Sequence, residues 1–539
     1  MTGPQRKALY TYQYRRSRDQ DARAAARHPV VIVGAGPVGL TAALDLASRG
    51  VAVVVLDDSD RIGDGSRGIC WAKRTLEIWD RLGIGEEMVA RGVTWKLGKV
   101  FLGDEQVYSF DLLPEDGHKM PAFINLQQFH VEHILVERAQ QTAAIDLRWK
   151  NKVTALERRN DGVRLTVDTP EGAYSLDADW VIAADGARSA LRDMLGLTFA
   201  GHTFEEKFLI VDVHMHADDI PTERRFWFDP PFHSGQSALL HRQPDDCWRV
   251  DLQLGADADV EEELKPERYL PRIRRVLDGR DFDVDWISIY RFNCRRIERF
   301  VHDRVIFIGD SAHQLSPFGA RGANSGIQDA DNLGWKLAAV LAGTADARLI
   351  DSYNDERTQA ADENIGHSTR STDFIAPRSP AERDLRNAIL SLAPHADFAR
   401  RMVNSGRLSV ATVYDTPLNT PDETAFAGSA RLGAPIPDVP VTTAKEGSYE
   451  DADFLLRQLP AGFVLLMSGG EPPRDLPPDI TPVVIGGDLA DDADLFRERF
   501  DATPGAAYLV RPDQHLAGRW RHADAGKIRG ARDRALARI

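Results

Sequence analysis

The chain has 539 residues, more than one ordinary core organises, so two or three domains are expected. Hydrophobic residues are 43% and charged residues 28%, as in an ordinary globular protein, and a formal net charge of −15 argues against nucleic acid or an anionic membrane as a main partner. Cys70, Cys247 and Cys294 form no C-x-x-C, which excludes a dithiol redox pair and a zinc knuckle and fits a reducing cytoplasm.

Residues 1–27 are basic and polar, with Tyr10, Tyr12 and Tyr14 alternating, and lack the apolar stretch of a secretory signal. They read either as an arm laid over the chain's own surface or a partner subunit, or as a tail. No apolar run reaches the ~18 residues of a membrane span. The run His28–Val33 reads as a buried parallel strand. A glycine-rich turn follows, then a helix from about Val38 to Ser48, with Leu40, Ala43, Leu44 and Ala47 on one face and Gly50 at its end. Val51–Leu56 is a second buried strand ending at Asp57, which completes a βαβ unit. A helical pattern covers about Phe123–Gln140. Strands follow near Leu147–Leu156, Val163–Val167 and Trp180–Ala184, the last running into Asp185-Gly186.

Residues 200–295 change character. They carry β-segments at Phe208–His214, Arg224–Phe228, Ala238–Arg242, Trp248–Leu254 and Ile287–Phe292, interrupted by an acidic helical insert at Val260–Leu277. This predicts a mostly antiparallel sheet inserted into an α/β domain. The α/β pattern resumes at Val305–Ile308, which enters Gly309-Asp310. A long helix runs from about Asn324 to Leu341, with Ile327, Ala330, Leu333 and Leu337 at helical spacing. A linker rich in Pro, Gly, Thr and Ala covers about Thr416–Asp438. Beyond it, strands at Phe463–Met467, Pro482–Ile485 and Ala506–Val510 and a helix near Asp451–Gln458 form a small separate α/β unit.

Gly34-Ala35-Gly36-Pro37-Val38-Gly39 is a G-x-G-x-x-G placed between a strand and a helix. Glycines there allow a tight turn and a close backbone approach to a pyrophosphate, and the helix N-terminus adds amide donors. Asp57, or failing it Asp58, stands where an acidic residue accepts hydrogen bonds from adenosine ribose hydroxyls. This context indicates a dinucleotide and leaves FAD and NAD open. A second constellation, Gly309-Asp310-Ser311-Ala312-His313, follows a strand, and Pro317, Gly319, Gly322, Ala323 and Asn324 lead into the long helix.

The stretch from Gly309 to Ala338 resembles the second FAD motif of class A flavoprotein aromatic hydroxylases, and Asp185-Gly186-Ala187-Arg188-Ser189 resembles the family's third. Arg67 and Gln128 match further flavin-contacting positions, and the likeness is strong over residues 29–370. It implies a Rossmann-like FAD-binding domain at 28–199 and 296–415 and a substrate-binding sheet domain at 200–295. The cofactor set it implies is Gly34, Gly36, Pro37, Gly39, Asp57, Asp58, Arg67, Gln128, Asp185, Arg188, Gly309, Asp310, Pro317, Gly322, Ala323 and Asn324. An ionised Asp310 only accepts, which suits a ribityl hydroxyl. The helix from Gly322 would aim its dipole at the flavin N1/C2=O edge. His313 belongs to a structural motif in this family, and Arg321 departs from the small or polar residue usual in the glycine-rich segment.

The resemblance further implies that NADH or NADPH binds transiently, in keeping with the lack of a second G-x-G-x-x-G. Reduced FAD would react with O2 to a C4a-hydroperoxide that a phenolic ring attacks. The nearest branch is 3-(3-hydroxyphenyl)propionate hydroxylase-like and phenol-hydroxylase-like, so phenolic acids or simple phenols are the expected substrates. Polyketide- or drug-modifying hydroxylases use the same scaffold, and an NAD(P)H oxidase without productive hydroxylation is the rival activity. Trp227, His241 and Arg249 are pocket candidates, weighed against ordinary sheet packing. Residues 425–539 resemble the thioredoxin-like domain of phenol-hydroxylase-type members through Leu432-Gly433-Ala434-Pro435 and Tyr508–Asp513. That unit holds no cysteine, so a structural or homodimer-contact role is expected.

Overall fold

The computed structural model describes residues 10–63, 67–403, 408–445 and 448–539. Its first domain is built on β1 (Ala26–Val33), α1 (Pro37–Ser48), β2 (Val53–Leu56), α2 (Gln128–Gln141), β3 (Ile145–Arg148), β4 (Gly172–Ala183), β5 (Val305–Phe307), α3 (Gly322–Leu341) and α4 (Arg348–Ile375). The strands run in the order β5-β4-β1-β2-β3 and all neighbouring pairs are parallel. Val30–Ile32 and Val53–Leu56 are buried throughout, as apolar β-branched runs must be when helices cover both faces of a sheet. The order reverses at β1, which opens a crevice at the carboxyl ends of β1, β4 and β5. The three motifs, Gly34–Gly39, Asp185–Ser189 and Gly309–His313, all leave the sheet at that edge.

A second, eight-stranded sheet runs in the order His313–Gln314, Asp283–Arg296, Ala200–His214, Cys247–Leu254, Ser237–Arg242, Arg224–Phe228, Leu97–Leu102, Glu105–Asp111. It is antiparallel except where Arg224–Phe228 pairs with Leu97–Leu102. It therefore draws the Leu97–Asp111 hairpin and His313–Gln314 from outside residues 200–295. Its outer face packs Leu209, Val211, Trp227, Leu240 and Trp248 against the helix Pro266–Val276. Its inner face, with Val100, Phe208, Phe228, Leu239 and Phe292, meets Phe318 and Ile375 of the first domain.

Several elements differ from the sequence expectation. Phe123–Asn125 is a strand, paired with Cys70–Ala72 and Val93–Trp95, and the helix starts only at Gln128. Every residue from Phe123 to Gln127 is buried, and a fully buried run carries no period that separates strand from helix. The stretch near Leu147–Leu156 is two strands, because Lys150 turns the chain at φ 55°. The acidic insert is two helices, Val260–Glu263 and Pro266–Val276, with Pro266 opening the second. Residues Ser448–Phe454 form a strand, so the expected helix begins at Leu455.

The C-terminal unit is a seven-stranded sheet with the helix Ala525–Ala535. One face of it, with Leu465, Leu509 and Trp520, packs on Trp335 of α3 and Leu349 of α4. The N-terminal segment lies along the first domain. Tyr10 stacks on His133 with ring centroids 3.7 Å apart, and Tyr12 stacks on Trp149 at 4.6 Å. No helix among the described residues is long and apolar enough to cross a membrane.

Candidate functional site

The turn after β1 is tight where it meets protein and open on one side. Gly34 has φ +110°, and a Cβ there would lie 2.3 Å from the Ala184 carbonyl oxygen. A Cβ on Gly39 would lie 2.1 Å from the Gly34 carbonyl oxygen. Both glycines thus let α1 seat against the strand ends. Gly36 instead has nothing within 4 Å of its would-be Cβ, so its bare surface faces the crevice. Pro37 fills the first helical turn, where its missing N–H costs nothing.

Asp57 closes the far end of this cradle. Its two oxygens accept from the Ala35 N–H at 2.7 Å and the Ser59 N–H at 2.9 Å. Burial raises its pKa to about 6, with the two amides acting in the opposite direction. Asp58 is exposed at the rim.

Gln128 and Glu132, one turn apart on α2, hold Gly63 and Gly68, the latter next to Arg67. The Gly68 N–H donates to Gln128 Oε1 at 3.1 Å, Gln128 Nε2 donates to Glu132 Oε1 at 2.7 Å, and the Gly63 N–H donates to Glu132 Oε2 at 2.8 Å. Arg67 is exposed, close enough to lower the pKa values of Glu132 and Asp310, which burial raises more strongly.

Asp185, at the end of β4, accepts from the Leu191 N–H through Oδ2 at 3.1 Å, while Oδ1 is buried without a partner. Arg188 is exposed beside it. Asp310 faces the crevice, and its carboxylate accepts no hydrogen bond among the described residues; the surrounding protein still desolvates it and raises its pKa, against His313 and Arg67. A glycine with open space and two carboxylates with free acceptor capacity, strung along one crevice beside a helix N-terminus, fit an extended dinucleotide with hydroxyl groups between its ends.

The second motif is held by a buried network that the sequence reading did not find. Asp329 of α3 accepts from the Gly309 N–H at 2.8 Å, from His313 Nε2 at 2.7 Å and from Arg357 Nε at 2.6 Å. Arg357 Nη1 also donates to the Tyr414 hydroxyl at 2.8 Å. His313 is 1% exposed and thus braces the loop, which leaves it no access to a substrate proton. Pro317 is exposed on a sharp turn made by Gly319 at φ +103° and Ala320 at φ +52°. Gly322 and Ala323 are half-buried at the start of α3.

Asn324 pins that helix start. Its Oδ1 accepts from the Ala72 N–H at 2.8 Å and the Thr75 hydroxyl at 2.7 Å, and its Nδ2 donates to the Cys70 and Ala320 carbonyls at 2.9 and 2.6 Å. These bonds fill the amide, so only the Asn324 backbone is free to meet a ligand. Arg321 lies buried just before the helix. Its Nη1 donates to Asn364 Oδ1 at 2.8 Å, its Nε and Nη2 have no partner, and burial lowers its pKa to about 10.

A cavity of about 80 Å³ adjoins the same turn. Val100, Phe226 and Phe228 line it from the sheet, Phe318 and Gly319 from the turn, and Phe374 from the end of α4. Of the sequence candidates, Trp227 points to the outer face of the sheet, where it stacks on Phe101 at 5.4 Å. Arg249 faces inward but is held by Asp212 through Nε at 2.8 Å and Nη2 at 3.1 Å. His241 is buried with Nδ1 unpartnered, and burial keeps its pKa well below the usual range.

Residues 27–368 match the model of a family described as "FAD binding domain". A flavin-dependent monooxygenase of Mycobacteroides abscessus is 34% identical over 378 residues, covering 65% of this chain and 76% of that protein. A 12-dehydrotetracycline 5-monooxygenase/anhydrotetracycline 6-monooxygenase of Streptomyces rimosus is 30% identical over 526 residues, covering 91% of this chain and 95% of that protein. Among solved structures, the flavin-dependent monooxygenase PieE, in complex with FAD and substrate, superposes with a TM-score of 0.79 at 24% identity over 96% of this chain and 100% of that one. That likeness extends the common fold across the C-terminal unit.

Proposed function

The chain belongs to the FAD-binding-domain family of flavin-dependent monooxygenases, and from that premise we propose that it hydroxylates a small phenolic ring with NADH or NADPH and O2. The observation that carries this reading is the apolar cavity set against the Pro317–Ala320 turn, which leads into the start of α3. Bound FAD supplies reduction by the nicotinamide and activation of oxygen. The chain's residues do the rest. Gly36 would admit the pyrophosphate on a turn that Gly34 and Gly39 make possible, Asp57 would take ribose hydroxyls, and Asp185 and Asp310 offer free carboxylate oxygens further along. The N-terminus of α3 would favour negative charge on a flavin ring system held there. Phe226, Phe228, Phe318 and Phe374 keep water from the reacting ring.

The cavity of about 80 Å³ is smaller than the roughly 150 Å³ of an apolar cavity that takes benzene, so it must widen even for one ring and further for anything larger, which favours a single-ring substrate. A second reading, hydroxylation of a fused polycycle, is favoured by the near full-length match to the 12-dehydrotetracycline 5-monooxygenase/anhydrotetracycline 6-monooxygenase. The C-terminal unit is read as thioredoxin-like and structural. A cytoplasmic setting fits three cysteines that form no disulfide among the described residues, two of them buried.

The test is NADH and NADPH oxidation by the FAD-loaded protein across simple phenols, phenolic acids and anhydrotetracycline-like polycycles, with hydroxylated product and peroxide both quantified. Oxidation stimulated many-fold by a single-ring phenol, with product matching the nicotinamide consumed, supports the proposal. Stimulation by polycycles alone selects the second reading, and peroxide accounting for all the oxygen refutes both.

A further inference from the structure

Arg224, on the inner face of the inserted sheet, forms no ion pair among the described residues. Side chains alternate along a strand, so Arg224, Phe226 and Phe228 share a side, and all three line the cavity. The carboxylate next to Arg224 in sequence is already engaged elsewhere: Glu223 receives Lys99 Nζ at 2.8 Å and Arg225 Nε at 2.9 Å. The other inward arginine, Arg249, is matched by Asp212.

Arg224 has no such match. Its Nε is buried without a partner, and its guanidinium makes no hydrogen bond or ion pair among the described residues. Asp251 and Cys70 lie near enough to act on it electrostatically, yet burial outweighs them and lowers its pKa. A guanidinium does not lose its proton at any working pH, so the cation stays, and its half-buried terminal nitrogens on the cavity wall are available to an anion. A cation held in an apolar pocket without a partner costs free energy that an incoming anionic oxygen recovers as binding.

We infer that Arg224 anchors an anionic oxygen of the aromatic substrate, a ring carboxylate or a phenolate, so that the substrates of this site are anionic aromatics. The inference rests on the hydroxylase reading for the presence of a ring. The aromatic walls hold that ring while the guanidinium fixes its rotation, and hence which carbon faces the oxidant. A neutral ring of the same shape leaves Arg224 unpaired and binds weakly.

The test is ligand titration of the FAD-loaded protein, followed by the flavin absorbance change, with two matched pairs. 3-Hydroxybenzoate against 3-hydroxybenzamide isolates a carboxylate; 4-nitrophenolate against 4-nitroanisole isolates a phenolate. The wild type is expected to bind the anion of at least one pair more than tenfold tighter than its neutral partner, and the pair that discriminates identifies the group. In Arg224→Met the anion weakens by about 30-fold, the scale of losing a desolvated charge-assisted contact, while the neutral member stays within about threefold. Arg224→Lys restores part of the difference, and flavin content with the thermal midpoint shows that each variant is folded. Equal binding of both members in both pairs, or equal weakening of both by Arg224→Met, overturns the inference. A selectively bound anion that gives no hydroxylated product refutes the hydroxylase reading and leaves the anion site standing.

Discussion

Asp57 receives two backbone amides, and a carboxylate has about four lone-pair sites, so each oxygen retains room for a ribose hydroxyl. Its pKa of about 6 makes that capacity pH-dependent. The folded value lies above the unfolded one, so the apoprotein loses stability as pH rises from near 4 toward 6, while FAD, which hydrogen-bonds the ionised form, binds better over the same interval. FAD affinity is therefore expected to fall as pH drops through about 6. In Asp57→Asn the dissociation constant rises by roughly tenfold and loses that pH dependence. Fluorescence of released flavin measures both, and an unchanged affinity in Asp57→Asn moves the ribose contact to the exposed Asp58. His313 gives the complementary case. Its bond to Asp329 braces the Gly309 loop, so His313→Gln is expected to cost about 1–3 kcal/mol in denaturant unfolding while the pH–rate profile keeps both limbs. A limb lost with His313 would show that the ring does exchange protons with substrate.

At the level of elements, Gly36 and Gly39 separate what the fold needs from what the ligand needs. Gly39→Ala drives a methyl into the Gly34 carbonyl, so α1 must shift, and both thermal stability and FAD binding fall. Gly36 has an ordinary φ of −77° and open space, so Gly36→Ala leaves the apoprotein's stability within about 0.5 kcal/mol yet weakens FAD several-fold where the backbone meets the pyrophosphate. Equal FAD affinity in wild type and Gly36→Ala would move the phosphates away from this turn. Such positions are legible in sequence because the constraint is local: a turn between a buried strand and a helix admits few residues. The first βαβ unit, the strands of 200–295 and the start of α3 were readable for the same reason. Contacts remote in sequence were not. Asp329, Arg357 and Tyr414 matter through each other, and nothing near any of them announces the partner. Arg224 escaped for a different reason. Alternation tells that Arg224 and Phe226 oppose Arg225 and Trp227, but not which pair faces the cavity, and the more conspicuous Trp227 faces away.

The whole molecule is joined through a buried ionic cluster centred on Glu356. Glu356 accepts from Arg511 Nη1 at 2.8 Å, Lys336 Nζ at 2.7 Å and Asn332 Nδ2 at 2.6 Å, while Asp513 accepts from Arg511 Nε at 3.0 Å and Trp335 Nε1 at 3.0 Å. Glu356, Lys336, Arg511 and Asp513 are fully buried. Lys336 lies on α3, the helix whose start faces the cofactor crevice, and Arg511 lies on the C-terminal unit, so the cluster ties that unit to the helix behind the site. Removing the Glu356 carboxylate leaves Lys336 buried without an anion and Arg511 with Asp513 alone, and Glu356→Ala is expected to cost about 3–5 kcal/mol and to split one unfolding transition into two as the C-terminal unit releases first. Arg511 and Lys336 hold the Glu356 pKa well below the ordinary carboxylate range despite burial. A depressed folded pKa means that this stabilisation is complete above the unfolded value near 4.3 and is lost as pH falls further below it. Wild-type acid unfolding should therefore steepen below pH ~4, with the C-terminal unit leading, and Glu356→Gln, which cannot titrate, should flatten that limb. Calorimetry across the acid range decides it: a single cooperative transition in Glu356→Ala, or an acid limb unchanged in Glu356→Gln, would mean that apolar packing of Leu465, Leu509 and Trp520 on α3 and α4 holds the unit without the ions.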